Sequence, residues 1–324
     1  MPFTSKATDQ VSHLGERALI EQIQLWLGPV SPPAPIGIGD DCAVVDSPSV
    51  GKQLLTVDSL TYGQHFDASI TPADAGAKLI KRNLSDIAAM GGRPGPAVLA
   101  LLCGPDVSTR WLTGFFAGLR ATCEQYDVAI VGGDVSALPP GQFSASLTLT
   151  GTALHPKLRN SARSGDFIYV TGTLGGSILK KHYAFDPRIA EGRWLAERPE
   201  CTAMMDLTDG LAKDLHAMLN SSRRAILDLE AVPLSDDAHK SARTSDRMPL
   251  EHAFCDGEDY ELLFTFDHTA NPVEFESKWA VRFPNLKLSR IGHIEDSKNG
   301  TGLFDQRTNA ALPWARGFEH LGRP

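Results

Sequence analysis

Aspartates recur at strand ends and glycine turns of this sequence, in a pattern suited to holding a hard cation. They stand in "GIGDDC" (Asp40, Asp41), "TVDSL" (Asp58), "NLSDIAAMGG" (Asp86), "VGGDVS" (Asp134) and "DLTDGL" (Asp206, Asp209), and "CDGEDYEL" adds Asp256, Glu258 and Asp259. Glycine lets backbone approach a ligand closely, and a neighbouring aspartate then reaches a metal ion. Ligands that are all oxygen suit Mg²⁺ rather than zinc or copper. The adjacent carboxylates of Asp40 and Asp41 repel one another and are tolerable if at least one binds metal. Asp41 is the expected ligand, with Asp40 orienting it or bonding the loop backbone. Asp86 is a poor residue for a helix interior. Asp58 follows an apolar strand, where a purely structural chain gains little from a charge.

Each of these also has a plain reading. An aspartate after a strand is often a turn former or a helix N-cap, and in "DLTDGLAKDL" Thr208 or Asp209 suits the cap of the helix that follows. A solvated helix face would account for Asp86. His65 in "YGQHFD" follows Asp58 closely enough to meet a substrate phosphate, or it is a loop histidine in water. Arg159 in "KLRNSARSGD" suits a nucleotide phosphate, or it is a solvated linker cation. The glycine turn "GTLGGS" offers backbone N–H groups to an anion, or is simply a tight turn. A P-loop, a G-x-S-x-G elbow, an H-E-x-x-H pair and the kinase H-R-D and D-F-G sets are all missing from the sequence.

The elements that must position these residues alternate along the chain. "GERALIEQIQLWLG" has helical spacing, "CAVVD" and "KQLLTVDSL" read as short strands, and "TPADAGAKLIKRNLSDIAAMGG" reads as a helix. Thr71 and Asp74 suit the start of that helix and Gly91-Gly92 its end. A buried strand "AVLALLC", a helix "TRWLTGFFAGLRATCEQYD", a strand "VAIVGGDVS" and the alternating strand "FSASLTLTGTAL" follow. The basic, polar stretch "HPKLRNSARSGD" places a domain boundary near residue 155. Beyond it come the strand "FIYVTGTLGG", a helix near "PRIAEGRWLAE", a turn at "DLTDGLAKDLHAML", and strands in "YELLFTF" and "LSRIGHI". Alternating strands and helices in both halves predict α/β or α+β layers.

The chain has 324 residues, enough for two domains. A net charge of -8 argues against general nucleic-acid binding and a basic membrane-surface role. It leaves room for an anionic substrate, because bound cations reverse the local field. Five scattered cysteines without C-x-x-C spacing, no apolar leader segment and no apolar run of roughly 20 residues predict reduced thiols in a cytoplasm, with no membrane span.

In their order, "GIGDDCAVV", "TVDSLTYGQHF", "KRNLSDIAAMGGRP", "VGGDVS", "GDFIYVTGTLGGS", "MDLTDGLAKDL" and "DGEDYELLFT" resemble the thiamine-monophosphate kinases over nearly the whole chain. Their superfamily also holds aminoimidazole-ribonucleotide synthetase and selenophosphate synthetase. The resemblance implies transfer of the γ-phosphate of ATP to thiamine monophosphate. It puts Mg²⁺ ligands at Asp41, Thr56, Asp58, Asp86, Asp134, Asp206 and Asp209, nucleotide contacts at Gly133, Asp134, Arg159 and Thr208, and thiamine-phosphate contacts at His65, Glu258 and Phe318. Asp41, Asp58, Asp86, Asp134 and Asp209 would carry the catalysis. The implied fold is an α/β (α+β) two-domain architecture. An N-terminal metal- and ATP-binding domain, 1–155, pairs its sheet across a homodimer, and a C-terminal α/β domain, 156–324, completes the site. Three features depart from the family. Val57 replaces the usual threonine and offers a metal only its backbone carbonyl; Asp256 replaces a glycine; and the segment after "GTLGGS" is short. Two alternatives stand beside this reading: another ATP-dependent enzyme of the superfamily, and a non-catalytic Mg-nucleotide or thiamine-phosphate binding protein. Selenophosphate synthetase is disfavoured, because no Cys and Lys sit together in an N-terminal glycine-rich segment.

Overall fold

The computed structural model describes residues 1–14, 16–33, 50–297 and 301–314. Asp40, Asp41, Phe318 and the expected strand "CAVVD" lie outside the described residues. The chain divides into two units, one of Met1–Ile87 with Gly92–Leu154, the other of Ala88–Gly91 with His155–Pro324.

The first unit carries helices α1 (Val11–Leu14) and α2 (Glu16–Leu27), strand β1 (Lys52–Thr61), most of helix α3 (Pro72–Ala89), strand β2 (Arg93–Cys103), helix α4 (Thr109–Tyr126) and strands β3 (Ile130–Ala137) and β4 (Phe143–Ala153). Its four strands lie in the order β1-β4-β2-β3, antiparallel except for the parallel β2–β3 pair. The alternation in "FSASLTLTGTA" becomes a strictly alternating burial pattern along β4, because successive side chains point to opposite faces. One face is covered. Leu60, Leu99, Leu101, Leu147 and Leu149 are buried there, and Phe66, Trp111, Phe115 and Phe143 form an aromatic cluster at its end. The other face bears Ser144, Ser146 and Thr148 of β4 beside exposed Leu55, Val57 and Val98. Helix α3 starts as its sequence implies. The Thr71 hydroxyl bonds Asp74 at 2.6 Å and accepts the Asp74 N–H at 3.1 Å. Gly91, at φ +69°, donates its N–H to the Ala88 carbonyl at the far end.

The second unit holds β5 (Phe167–Thr171), α5 (Lys181–Ala184), α6 (Ile189–Ala196), β6 (Cys201–Asp206), α7 (Leu211–Met218), β7 (Arg223–Leu227), α8 (Asp236–Ala242), α9 (Pro249–Cys255), β8 (Leu262–Phe266), α10 (Pro272–Arg282), β9 (Leu288–Asp296) and β10 (Gly302–Asp305). Its six-stranded sheet runs β10-β7-β9-β5-β8-β6. Residues 262–266 are wholly buried, as an apolar strand covered on both faces should be. One apolar cluster gathers Leu211, Leu215, Met218 and Phe254, and another gathers Tyr169, Phe264, Phe275 and Trp279. Among the described residues no helix is long and apolar enough to cross a membrane.

Candidate active site

In the first unit, α3 lies across the strand that bears Thr56 and Asp58. Alternation along β1 turns Thr56, Asp58 and Leu60 toward the helices and Leu55, Val57 and Ser59 away. The Thr56 hydroxyl donates to Asp86 Oδ2. Arg82, one helical turn before Asp86, donates from Nη2 to Asp58 Oδ1 at 3.0 Å and from Nη1 to the Ser59 carbonyl at 2.8 Å. Asp86 therefore sits within a helix because the strand beneath it supplies a hydroxyl partner. Thr56, Asp58 and Asp86 form a half-buried oxygen cluster beside one guanidinium. Their donor atoms are all oxygen, which fits Mg²⁺.

Asp134 stands elsewhere in this sheet. It pairs in register with Ala100, Ala100 with Ser146, and Ser146 with Ser59. It thus belongs to the open face and to the edge strand opposite β1, about 14 Å away by the spacing of three strands. Its carboxylate accepts the Ser136 hydroxyl at 2.6 Å. Packing requires a glycine at Gly133, because a Cβ there would lie 1.9 Å from the Leu99 carbonyl oxygen. Val57 is 62% exposed on that same open face.

The second unit assembles Thr208, Asp209 and Glu258 on two loops tied together. Glu258 N–H donates to the Thr208 carbonyl at 2.8 Å, Tyr260 N–H to Leu207 at 2.8 Å, and Leu207 N–H to Glu261 at 2.9 Å. Glu258 and Tyr260 take φ values of 53° and 51°, which non-glycine residues adopt rarely. Such conformations persist where surrounding contacts fix them. The Tyr260 hydroxyl donates to Glu258 Oε1 at 3.1 Å, Tyr260 stacks on Phe185 at 3.9 Å, and His182 Nδ1 lies 3.8 Å from Glu258 Oε2. Asp206 is buried at the end of β6, and Asp209 pairs with Lys213 at 2.8 Å. Arg159 is exposed in a 3-10 turn against β6 and α7, with no ion-pair partner among the described residues.

One expectation about local structure needs correcting, and one open choice is decided. Neither Thr208 nor Asp209 caps α7. Gly210 holds the N-cap position without a side-chain bond, at a φ of +101° that favours glycine. Asp214, inside the helix, instead reaches back to accept the Thr208 and Asp209 N–H groups at 2.9 and 3.0 Å. Burial pushes its carboxyl up to about 7. Of the two readings of the glycine turn, the tight turn is the one the hydrogen bonds support. Gly175 N–H donates to Asp259 at 2.9 Å and Gly176 N–H to Asp256 at 3.1 Å. Asp256, the departure from the family pattern, is itself held by Arg247 at 2.9 Å and lies 2.8 Å from His252 Nδ1.

Sequence reasoning missed Glu261, which ties this framework together. It accepts Thr171 Oγ1 at 2.7 Å, both arms of Arg188 at 2.7 Å, and Lys181 at 2.9 Å. Burial opposes its charge, but Lys181 and Arg188 outweigh burial and hold its carboxyl below the usual range. A charge inside the apolar run "YELLFTF" was the available signal, the same one that singled out Asp58.

Residues 39–153 match the family model described as "AIR synthase related protein, N-terminal domain". Over 300 residues the chain is 37% identical to the thiamine-monophosphate kinase of Rhodopirellula baltica, covering 89% of this chain and 92% of that one. The chain belongs to the thiamine-monophosphate kinase family. The Escherichia coli thiamine-monophosphate kinase is 36% identical, with 89% of this chain and 93% of the relative covered. The crystal structure of the Stenotrophomonas maltophilia thiamine-monophosphate kinase superposes with a TM-score of 0.72 at 29% identity, covering 92% of this chain and 98% of that one. A structure described as AaThiL complexed with AMPPCP and TMP gives 0.69 at 28% identity, covering 93% and 96%. The hydrogenase maturation protein HypE of E. coli, at 15% identity, shares the fold with a TM-score of 0.74 over 92% of this chain and 97% of that one. The α/β architecture with its two sheets is thus that of thiamine-monophosphate kinases.

Proposed function

We propose that this chain transfers the γ-phosphoryl group of ATP to thiamine monophosphate, giving thiamine diphosphate and ADP. The observation that carries this reading is similarity to thiamine-monophosphate kinases along almost the whole chain, including a match to a structure complexed with AMPPCP and TMP.

The acceptor is a phosphate oxygen, already anionic near neutral pH, so no strong general base is required. The obstacle is repulsion: two unit charges 4 Å apart at an effective dielectric of 20 repel by about 4 kcal/mol. Mg²⁺, when bound, would screen that repulsion and hold the reacting phosphates in line. In the first unit Thr56, Asp58 and Asp86 are the residues to hold it, and Arg82 keeps Asp58 oriented. In the second unit Asp206 and Asp209 serve the same purpose, with Thr208 and Arg159 toward the nucleotide and Glu258 toward thiamine monophosphate. Asp41 and Phe318 remain assigned by resemblance alone, to metal and to thiamine.

We further propose a homodimer formed through the open face of the four-stranded sheet. Leu55 and Val57, 69% and 62% exposed on that face, support it, since exposed apolar patches mark contact surfaces. Asp134 shares that face, so its part in metal or nucleotide binding is assigned to the paired state. The N-terminal domain, 1–155, is proposed as the metal, ATP and dimer domain and 156–324 as the substrate-completing domain, in a cytoplasmic enzyme.

A coupled assay of ADP formation with Mg²⁺, with and without thiamine monophosphate, tests the function. Release that requires thiamine monophosphate supports it. ADP formed only with another acceptor would point to a different superfamily enzyme, and binding without turnover to a non-catalytic relative.

A further inference from the structure

We propose that Ser245, His252 and Asp256 form a nucleophilic triad in the second unit, and that it hydrolyses small carboxylic esters. This activity is separate from phosphoryl transfer and does not rest on the kinase reading.

The three side chains make a line of short contacts. Ser245 Oγ lies 2.9 Å from His252 Nε2, and His252 Nδ1 lies 2.8 Å from Asp256 Oδ2. A nucleophile in hydrogen-bond reach of a base, with the base oriented by a third group, is the geometry of an activated serine. The chain builds much of it locally. His252 and Asp256 stand at i and i+4, a spacing that puts side chains on one helix face, at the C-terminal end of α9. A carboxylate at a helix C-terminus opposes the helix dipole, so other partners must hold it. Arg247 Nη1 donates to Asp256 Oδ1 at 2.9 Å, and the Gly176 N–H donates to Asp256 Oδ2 at 3.1 Å. Arg247 is anchored in turn by Glu251, whose Oε1 and carbonyl oxygen each accept from it at 3.2 Å. The carboxylate is thereby fixed as an acceptor. His252 Nδ1 donates to it, and in the neutral ring Nε2 keeps the lone pair that takes the Ser245 hydroxyl proton.

Exposure divides the set as the chemistry needs. His252 is 5% exposed and the Asp256 side chain 11%, so the orienting bond is shielded from water. Ser245 is exposed on the loop between α8 and α9, where an ester can reach it. The Arg247 N–H donates to Ser245 Oγ at 3.4 Å, which aims a backbone donor at the attacking oxygen. The serine is on a loop rather than a G-x-S-x-G elbow, so no local motif marks it; such a set is recognised by geometry. Asp256 is also where this chain departs from its family, so the kinase activity does not account for the arrangement.

The step balances. Ser245 Oγ bonds to the ester carbonyl carbon as its proton passes to His252 Nε2. The bond from that carbon to the alcohol oxygen breaks, and the alcohol leaves with the proton. Water then attacks the acyl-serine by the same relay, releasing the carboxylic acid and restoring the serine. Ester and water become acid and alcohol, with nothing oxidised or reduced.

A fluorophosphonate, which bonds to an activated serine oxygen with loss of fluoride, reads the nucleophile in the full chain by intact mass and peptide mapping. One adduct at Ser245 is expected. It should be absent from Ser245→Ala and form about a hundredfold or more slowly in His252→Gln and Asp256→Asn. No adduct at Ser245, or parental labelling rates in either of the last two variants, would overturn the proposal. Sustained release of p-nitrophenol from p-nitrophenyl acetate is expected to be lost in Ser245→Ala, with thiamine diphosphate formation unchanged. A Ser245→Ala chain with the parental ester rate would overturn it. Long-range ¹⁵N–¹H correlation on ¹⁵N-histidine-labelled parent reads the orienting role of Asp256 without any variant. The Nδ1–H pattern is expected for His252, and the Nε2–H pattern would overturn it.

Discussion

Thr56, Asp58 and Asp86 meet because alternation along a strand and one turn of a helix bring them to the same level. Asp86 receives a hydroxyl from Thr56, and Asp58 receives the Arg82 guanidinium. The carboxylates are therefore partnered and held, as a metal-binding set must be before its ion arrives. Asp86→Asn keeps the size and a hydrogen-bonding oxygen but removes the charge. It is expected to keep the fold by circular dichroism and to lose Mg-ATP turnover by a hundredfold or more, as is Asp41→Asn (a loss of about 2.7 kcal/mol in transition-state stabilisation). Near-parental rates in both variants would count against the metal assignment. Asp214 acts at one remove, through the Thr208 and Asp209 N–H groups. Asp214→Ala would leave those donors poorly satisfied, at a cost of about 1–3 kcal/mol. A calorimetric Tm equal to the parent's would show that water replaces the carboxylate at no cost.

At the scale of elements, two loops and a glycine turn are fastened by carboxylates. Asp259 and Asp256 hold Gly175 and Gly176, while Glu261 gathers Thr171, Lys181 and Arg188. Burial pushes Asp259 up to about 7, with Lys181 opposing. The sign follows: a carboxyl raised on folding favours the fold while protonated. Its stabilising contribution is complete below the unfolded value near 4 and is lost as pH rises toward 7. Across that window the slope is at most about 1.4 kcal/mol per pH unit. Asp259→Asn, which retains an acceptor for Gly175 N–H, is expected to flatten the fall in denaturant-measured stability between mildly acidic and neutral pH. An unchanged profile would assign that fall to other groups.

Much of this level was legible in the sequence. The period-2 pattern of "FSASLTLTGTA", the Thr71 and Asp74 start of α3, and the anomaly of Asp86 within a helix each reflect a local rule. Asp214, Glu261 and the occupied glycine turn reflect contacts between segments tens of residues apart, which no local period encodes. The face and edge on which Asp134 lies were hidden for the same reason, since strand order is a property of the sheet.

For the whole molecule, the face of the four-stranded sheet that is open among the described residues is the feature on which the proposed homodimer rests. Exposed Leu55 and Val57 beside a row of serine and threonine side chains suit contact with a second copy better than permanent exposure to water. A Leu55→Asp, Val57→Asp double variant is expected to shift the mass seen by light scattering from dimer to monomer. A parent that is already monomeric, or a variant that stays dimeric, would remove this face as the interface. The central claim concerns chemistry, and it is tested most directly by following the label of [γ-³²P]ATP through a single turnover with Mg²⁺ and thiamine monophosphate. The label is expected in thiamine diphosphate, and none should transfer when the metal is chelated. Label recovered only as inorganic phosphate, or transferred equally well without a divalent cation, would contradict it.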